Sequence, residues 1–199
     1  MLIEKNLFFI NTSENGSKKS ILLHSCCAPC SSYVISYLAD FFEITVFYYN
    51  PNITDRNEYI KRKDEQIRLI SLINIKHPVD FIDGDYDSAL FFTKIKGHEK
   101  DCEGGERCRL CFEMRINKTA ETAKKLNFDL FTTTLTVSPH KNAKMINEIG
   151  GQAEKEYQTE YLYSDFKKKD GYKKSIELSK KYNLYRQNFC GCIFSNFEK

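Results

Sequence analysis

Three groups of cysteines carry the reactive side chains of this chain. Cys26-Cys27-Ala28-Pro29-Cys30 follows the apolar run Ile21 to Leu23, Cys108-Arg109-Leu110-Cys111 heads an amphipathic stretch, and Cys190-Gly191-Cys192 lies near the C-terminus. The thiolate is the form that binds metals and exchanges electrons, and it is favoured near a helix N-terminus, where unpaired N–H groups point outward. The first two groups occupy such settings. Together Cys26, Cys27, Cys108 and Cys111 supply the four thiolates that zinc or an iron–sulfur cluster requires. The pairs lie too far apart for a zinc ribbon, but the spacing suits ligands gathered by a fold. Cys26 and Cys27 can both serve one centre, or splay towards two centres with Cys30 as a ligand to the second metal.

Other readings of the same residues stand beside this one. Cys27-Ala28-Pro29-Cys30 between a strand and a helix looks like a thioredoxin-like redox motif; Cys26 and the second pair count against it, since a dithiol exchanger needs neither. Cys190 and Cys192 can close only a small, strained ring, which suits cycling between dithiol and disulfide, and Gly191 frees the backbone to form it. Idle thiols, or ligands to a second metal, are the alternatives. Cys102 stands alone in a polar loop and has no assigned role. His24, on the first thiol turn, can orient a thiolate or donate a proton, or simply be a satisfied core histidine. His140 has an equivalent place at a later strand end. Asp83, Asp85 and Asp87 alternate like metal ligands, although turn formation and helix capping explain them better. Cysteines stand where an ATP-binding sheet would carry a phosphate loop, which disfavours nucleotide hydrolysis.

These groups need a scaffold, and the hydrophobic pattern describes one. Strands are expected at Ile21–Leu23, Glu43–Tyr49, Val79–Ile82, Phe128–Val137 and Tyr161–Tyr163. Helices are expected from Ser31 or Ser32, from Thr54 as N-cap to about Ile73, from Cys108 with Phe112, Ile116, Ala120 and Ala123 inward, after Asn142 up to Gly150-Gly151, and over Lys173–Tyr182. Strands alternating with helices imply a parallel α/β sheet with helices on both faces. In such a sheet the carboxyl ends of the strands face the ligand crevice, which is where the first thiol turn falls.

A chain of 199 residues fits one domain, residues 20–199, preceded by an extension at residues 1–19. Eight cysteines, seven of them in tight clusters, with no signal-peptide pattern ahead of them, point to the reducing cytoplasm, and no apolar run approaches membrane-span length. The net charge of +3 is unevenly spread: Lys167 to Arg186 holds eight basic residues against Asp170 and Glu177, so the rest of the chain is net acidic. Phe166, Tyr172, Tyr182 and Tyr185 interleave with those charges. That pattern suits a phosphate-rich partner, and equally a solvated helix with a core face.

The motifs Leu23-His24-x-Cys26-Cys27-Ala28-Pro29-Cys30-Ser31, Tyr49-Asn50-Pro51-Asn52, Arg62-Lys63, Asp85-Tyr86-Asp87, Arg107-Cys108-x-x-Cys111-Phe112, Ser138-Pro139-His140-Lys141, Asp165-Phe166-Lys167-Lys168, Leu184-Tyr185-Arg186-Gln187 and Cys190-Gly191-Cys192 resemble the cobalamin-independent epoxyqueuosine reductase family, QueH. The resemblance runs from about Ser20 to Ser195. It implies a single-domain Rossmann-like sheet similar to the HUP, ATP-pyrophosphatase type, and reduction of epoxyqueuosine to queuosine at the wobble position of tRNA. It also implies a 4Fe–4S cluster on Cys26, Cys27, Cys108 and Cys111, with a mononuclear iron or zinc beside it for which Cys30 is the candidate ligand. By the same resemblance Cys190 and Cys192 are a redox-active pair; the two protons that epoxide reduction consumes make His24 and Asp87 the candidate proton donors. The partners are a tRNA anticodon stem-loop, held by the basic C-terminal region, and an external electron donor, with no membrane. Tyr48, Tyr49 and Phe112 are candidate stacking partners for the base. A thioredoxin-like oxidoreductase and a zinc-stabilised tRNA-binding module are the alternatives.

Overall fold

The computed structural model of the protein describes residues 18–196, so the expected extension lies outside the described residues except for its last two. The elements run β1 (Ser20–His24), α1 (Ala28–Leu38), β2 (Glu43–Tyr48), α2 (Arg56–Leu72), β3 (Asp80–Asp83), α3 (Ser88–Lys94), α4 (Glu106–Lys125), β4 (Leu130–Thr133), α5 (Ala143–Tyr157), β5 (Glu160–Tyr161) and α6 (Gly171–Lys181). All strand pairings are parallel, in the order β3-β2-β1-β4-β5. The central strand is β1. It is covered on both faces, so Ile21, Leu22 and Leu23 are fully buried and form a continuous apolar run rather than an alternating one.

Two cores result, one on each face of the sheet. Ile21 and Leu23 pack with Val34 and Leu38 of α1, Leu69 of α2 and Leu184 after α6. Leu22 points the other way, towards Phe112, Ile116 and Ala120 of α4 and Ile146, Ile149 and Ala153 of α5. Each Leu, Ile, Val or Phe among them contributes about 1.5–3 kcal/mol on removal from water. The expected α/β architecture with helices on both faces is the observed one.

Several element boundaries differ from expectation, each for a local reason. The first helix opens at Ala28, not at Ser31 or Ser32, because Pro29 sits in its first turn, where a missing N–H costs nothing. Cys27 therefore becomes the N-cap, and Ser31 and Ser32 turn their hydroxyls back onto helix carbonyls at 3.2 and 2.8 Å. Asp55 rather than Thr54 caps α2, its carboxylate accepting from the amides of Asn57 and Glu58. The strand expected to reach Val137 stops at Thr133, whose hydroxyl accepts from Leu135 N at 3.2 Å and draws Thr134–Val137 into a 3₁₀ turn. Strand β5 likewise stops at Tyr161, short of Tyr163.

Gly150 and Gly151 do not stop a helix. They lie inside α5, which ends at Gln158 in the left-handed conformation, φ 54°. A Cβ on Gly150 would lie 2.2 Å from the Tyr161 ring, and one on Gly151 2.5 Å from the Tyr163 hydroxyl. The two glycines let α5 lie against β5.

Candidate active site

The strand order reverses at β1, and the loop after it carries the first thiols. Cys27, the N-cap of α1, has an extended backbone, φ −170° and ψ 150°, and no side-chain cap of its own. The turn is fixed from behind by polar contacts. Gln66 Oε1 accepts from Ser25 Oγ at 2.8 Å and Ser31 Oγ at 2.6 Å, and Asn50 Nδ2 donates to Ser25 O at 2.8 Å. Cys26 and Cys27 are buried with their sulfurs 3.9 Å apart. Cys30, in the first turn of α1, is half-buried.

The second pair stands on the first turns of α4, whose N-cap is Gly105. Gly104 N donates to Cys108 Sγ at 3.3 Å. Cys108 and Cys111 lie one turn apart on one helix face, and four residues beyond Cys111 the same face presents Arg115, buried, with its Nε donating to Cys111 O at 3.2 Å. The loop after the 3₁₀ turn contributes His140 and a half-buried Lys141.

Two adjoining hollows join the groups. One, a narrow hollow of about 30 Å³, is lined by Cys108, Cys111, Phe112, His140, Lys141, Cys190 and Cys192 among others. The other is an open cleft of about 1220 Å³, solvent mouth included, whose wall includes Cys26, Cys27, Cys30, Arg62, His140, Lys141 and Cys190. Cys190 lines both. The fold thus brings Cys26, Cys27, Cys30, Cys108, Cys111, Cys190 and Cys192 to one place, while Cys102 is exposed on its loop and lines neither hollow.

The electrostatics of this place are governed by two cations among thiols. Burial opposes the charge on Lys141, but Cys190, Cys26 and Cys30 outweigh it and raise its pKa above the ordinary lysine value. Arg115 is raised against burial by Cys111, Cys190, Cys26 and Cys108. Contacts with the Cys27 and Cys30 thiols hold Cys26 well below the usual thiol range, with Lys141 and Arg115 assisting, while Cys27, the hydrogen-bonding partner, is pushed up to about 11. In the third group the Cys192 thiol hydrogen-bonds Cys190 and holds it well below its ordinary value, again with Lys141 and Arg115, and Cys192 rises in exchange. Burial, ahead of any charge, lifts Cys111 to about 11. One thiol in each of the first and third groups is therefore poised as an anion.

Among the described residues no three His, Cys, Asp or Glu side chains already converge as a holder for a single ion. A multi-iron cluster, unlike a single ion, keeps its cysteine sulfurs apart at its corners. The donor set fits such a cluster in kind, being all sulfur from two helix N-termini. The charges fit as well: a four-thiolate cluster is a net dianion when oxidised, and Arg115 and Lys141 are two cations at the same place. Arg115 Nη2 is buried with no hydrogen-bond partner.

Other expected site residues lie elsewhere. His24 is fully buried beneath the sheet end, its Nδ1 2.9 Å from Thr133 Oγ1 and its Nε2 3.1 Å from Tyr49 O, and burial lowers its pKa to about 4. It lines neither hollow, and neither does Asp87, which caps α3 by accepting from Ala89 N at 2.9 Å. Of the stacking candidates, Tyr48 and Tyr49 are buried in the cores and only Phe112 reaches the cavity wall. Arg115 and Lys141 do not stand out as site residues in the sequence, although the spacing 108, 111, 115 places a cation on the thiol face of one helix.

The described residues include no helix long and apolar enough to cross a membrane. A family model described as epoxyqueuosine reductase QueH matches residues 21–198. The chain is 44% identical over 180 residues to the epoxyqueuosine reductase QueH of Streptococcus pyogenes serotype M1, covering 89% of this chain and 71% of that protein. It is 42% identical to the protein of the same name from Staphylococcus epidermidis, covering 91% and 78%, and 34% identical to that of Thermotoga maritima, covering 90% and 92%. The match spans all three thiol groups and the sheet that assembles them, and the chain belongs to the epoxyqueuosine reductase QueH family.

Proposed function

We propose that this chain reduces epoxyqueuosine to queuosine at the wobble position of tRNA, the last step of queuosine biosynthesis. The observation that carries the reading is the gathering of seven thiols around Arg115 and Lys141 at the carboxyl edge of the sheet. Cys26, Cys27, Cys108 and Cys111 hold a 4Fe–4S cluster, and Cys30 lies on the cleft wall where a mononuclear iron or zinc has a ligand. When bound, the cluster supplies electrons one at a time.

The reaction breaks both carbon–oxygen bonds of the epoxide, forms a carbon–carbon double bond and releases the oxygen as water, consuming two electrons and two protons. Oxidation of Cys190 and Cys192 to the disulfide yields both electrons and, with Cys190 a thiolate, one of the two protons; the second comes from the cleft wall, and an external electron donor restores the reduced pair. Cys190 lines both hollows, the one with Cys108 and Cys111 and the one with Cys26 and Cys27, so the pair adjoins both sets of cluster ligands. Arg115 and Lys141 help to hold Cys26 and Cys190 below the usual thiol range. His24 and Asp87 line neither hollow, and His140 and Lys141 are the proton-donor candidates on the cleft wall.

The tRNA side of the cleft follows from α6. Its Lys173, Lys174, Lys180 and Lys181 are exposed, and Tyr172 and Arg186 at its two ends line the cleft with Cys26 and Cys30. Phe166 belongs to the core. A single-stranded anticodon loop can present its base to such a cleft while its phosphates lie along the lysines. A tRNA substrate and a thiol-rich centre support a reducing, cytoplasmic setting. Thioredoxin-like exchange and a purely zinc-bound module are not favoured, since the chain's relatives are named reductases.

The test is anaerobic purification with iron and sulfide quantified, followed by incubation with epoxyqueuosine-bearing tRNA and a chemical reductant. About four irons and four sulfides per chain, and a nucleoside lighter by one oxygen, are expected. Stoichiometric zinc without sulfide in protein never exposed to oxygen, or an unchanged nucleoside with a loaded cluster, would overturn the reading.

A further inference from the structure

We propose that Arg62 is a positioning residue for the Cys190-Gly191-Cys192 pair, an assignment that rests on the redox reading of that pair. Arg62 belongs to α2, far from the thiols in sequence, and its side chain is 1% exposed. The Glu58 carboxylate holds its Nε at 2.6 Å. The opposite edge of the guanidinium forks onto backbone carbonyls, Nη1 donating to Cys190 O at 3.0 Å and Nη2 to Phe189 O at 3.4 Å, and the Phe189 ring lies 5.0 Å away. Thr54 N donates to Gly191 O at 3.1 Å. The three successive carbonyls 189, 190 and 191 are therefore all pinned by α2 and the loop before it.

The consequence concerns the thiols. Gly191 has φ +111°, a conformation that a side chain rarely adopts, and a Cβ there would lie 3.0 Å from Ile53 and 3.1 Å from Arg62. With the carbonyls taken up on one side, both cysteines still line the hollows, Cys190 both of them and Cys192 the first. Arg62 thus binds the backbone of the pair and leaves its chemistry free, and it keeps the sulfurs near each other before they join. Lysine cannot replace it, because a single ammonium cannot span two carbonyls in a plane while also meeting Glu58.

The test is the equilibrium between dithiol and disulfide at Cys190 and Cys192, read by thiol trapping and mass spectrometry of cluster-loaded protein in glutathione buffers, for wild type, Arg62→Met, Arg62→Lys and Glu58→Gln. Loss of the fork should weaken disulfide formation about tenfold in Arg62→Met and Arg62→Lys, equivalent to about 30 mV, with a smaller shift in the same direction in Glu58→Gln. Cluster absorbance and melting temperature are recorded for each. A lower melting temperature with an unchanged thiol equilibrium would make Arg62 merely structural and overturn the proposal. If Arg62→Met does not fold, Glu58→Gln carries the test, and no shift there overturns it. Absence of any reversible Cys190–Cys192 disulfide in the wild type would instead refute the redox reading beneath it.

Discussion

Arg115 Nε donates to the carbonyl of Cys111 at 3.2 Å, one turn back on the same helix, so the guanidinium is anchored at one edge while its Nη2 has no protein partner. A buried cation in that position needs an anion, and removing it leaves the thiolates uncompensated. Breaking a buried charge arrangement from one side costs about 3–5 kcal/mol. Arg115→Met should lower iron and sulfide content severalfold, and the cluster that remains should have a more negative midpoint potential. Metal analysis and a mediated redox titration check this; normal loading at an unchanged potential would show the charge to be balanced by Lys141 alone.

Cys190→Ser and Cys192→Ser separate electron storage from cluster binding. Each should abolish turnover on epoxyqueuosine-bearing tRNA while the visible spectrum of the anaerobic protein stays as in wild type. Loss of absorbance in either variant would make that residue a cluster ligand.

The lysines of α6 should act through phosphates. Binding of an anticodon stem-loop should fall steeply with salt, and replacing Lys173 and Lys180 with Ala should flatten the log–log slope by about 1 for every phosphate left without its lysine. Affinity should drop alike for loops of different sequence. Fluorescence anisotropy across a salt series measures both, and a slope identical in wild type and variant would remove α6 from the interface.

Gly150→Ala should destabilise the protein although alanine is the better helix former by about 1 kcal/mol. The new methyl would meet the Tyr161 ring at 2.2 Å, and that ring is 2% exposed and packed against Phe131. Overpacking of this kind costs about 1–3 kcal/mol. A melting temperature lower by several degrees, with the iron content unchanged, is the expected result of calorimetry and metal analysis; a rise would show that β5 yields to the helix.

The parallel sheet and the thiol groups are legible in the sequence because each has a pattern of its own: apolar runs with helical stretches between them, and cysteines at short spacings. What is not legible depends on contacts between distant parts of the chain. Nothing near Gly150 in sequence announces Tyr161, so the glycine pair reads as a helix stop. Nothing near His24 announces that Thr133 and Tyr49 occupy both its nitrogens. The cations are an intermediate case. Arg115 is readable from its helical spacing to Cys108 and Cys111 once those are assigned, whereas Lys141 comes to the thiols only through the loop after β4. Arg62 is further still, since its partners Phe189 and Cys190 meet it only when the chain has closed.

Because every strand runs in the same direction, the two edges of the sheet have different uses. The chain enters β1 at Ser20, held by Asp129 at 2.7 Å, on the edge opposite the cysteines, and passes through Ser195 soon after Cys192. For anyone labelling this protein, positions on the two sides are not equivalent: a label at Lys18 sits on the side away from the substrate mouth, whereas one at the exposed Ile193 starts beside the sulfurs that have to work.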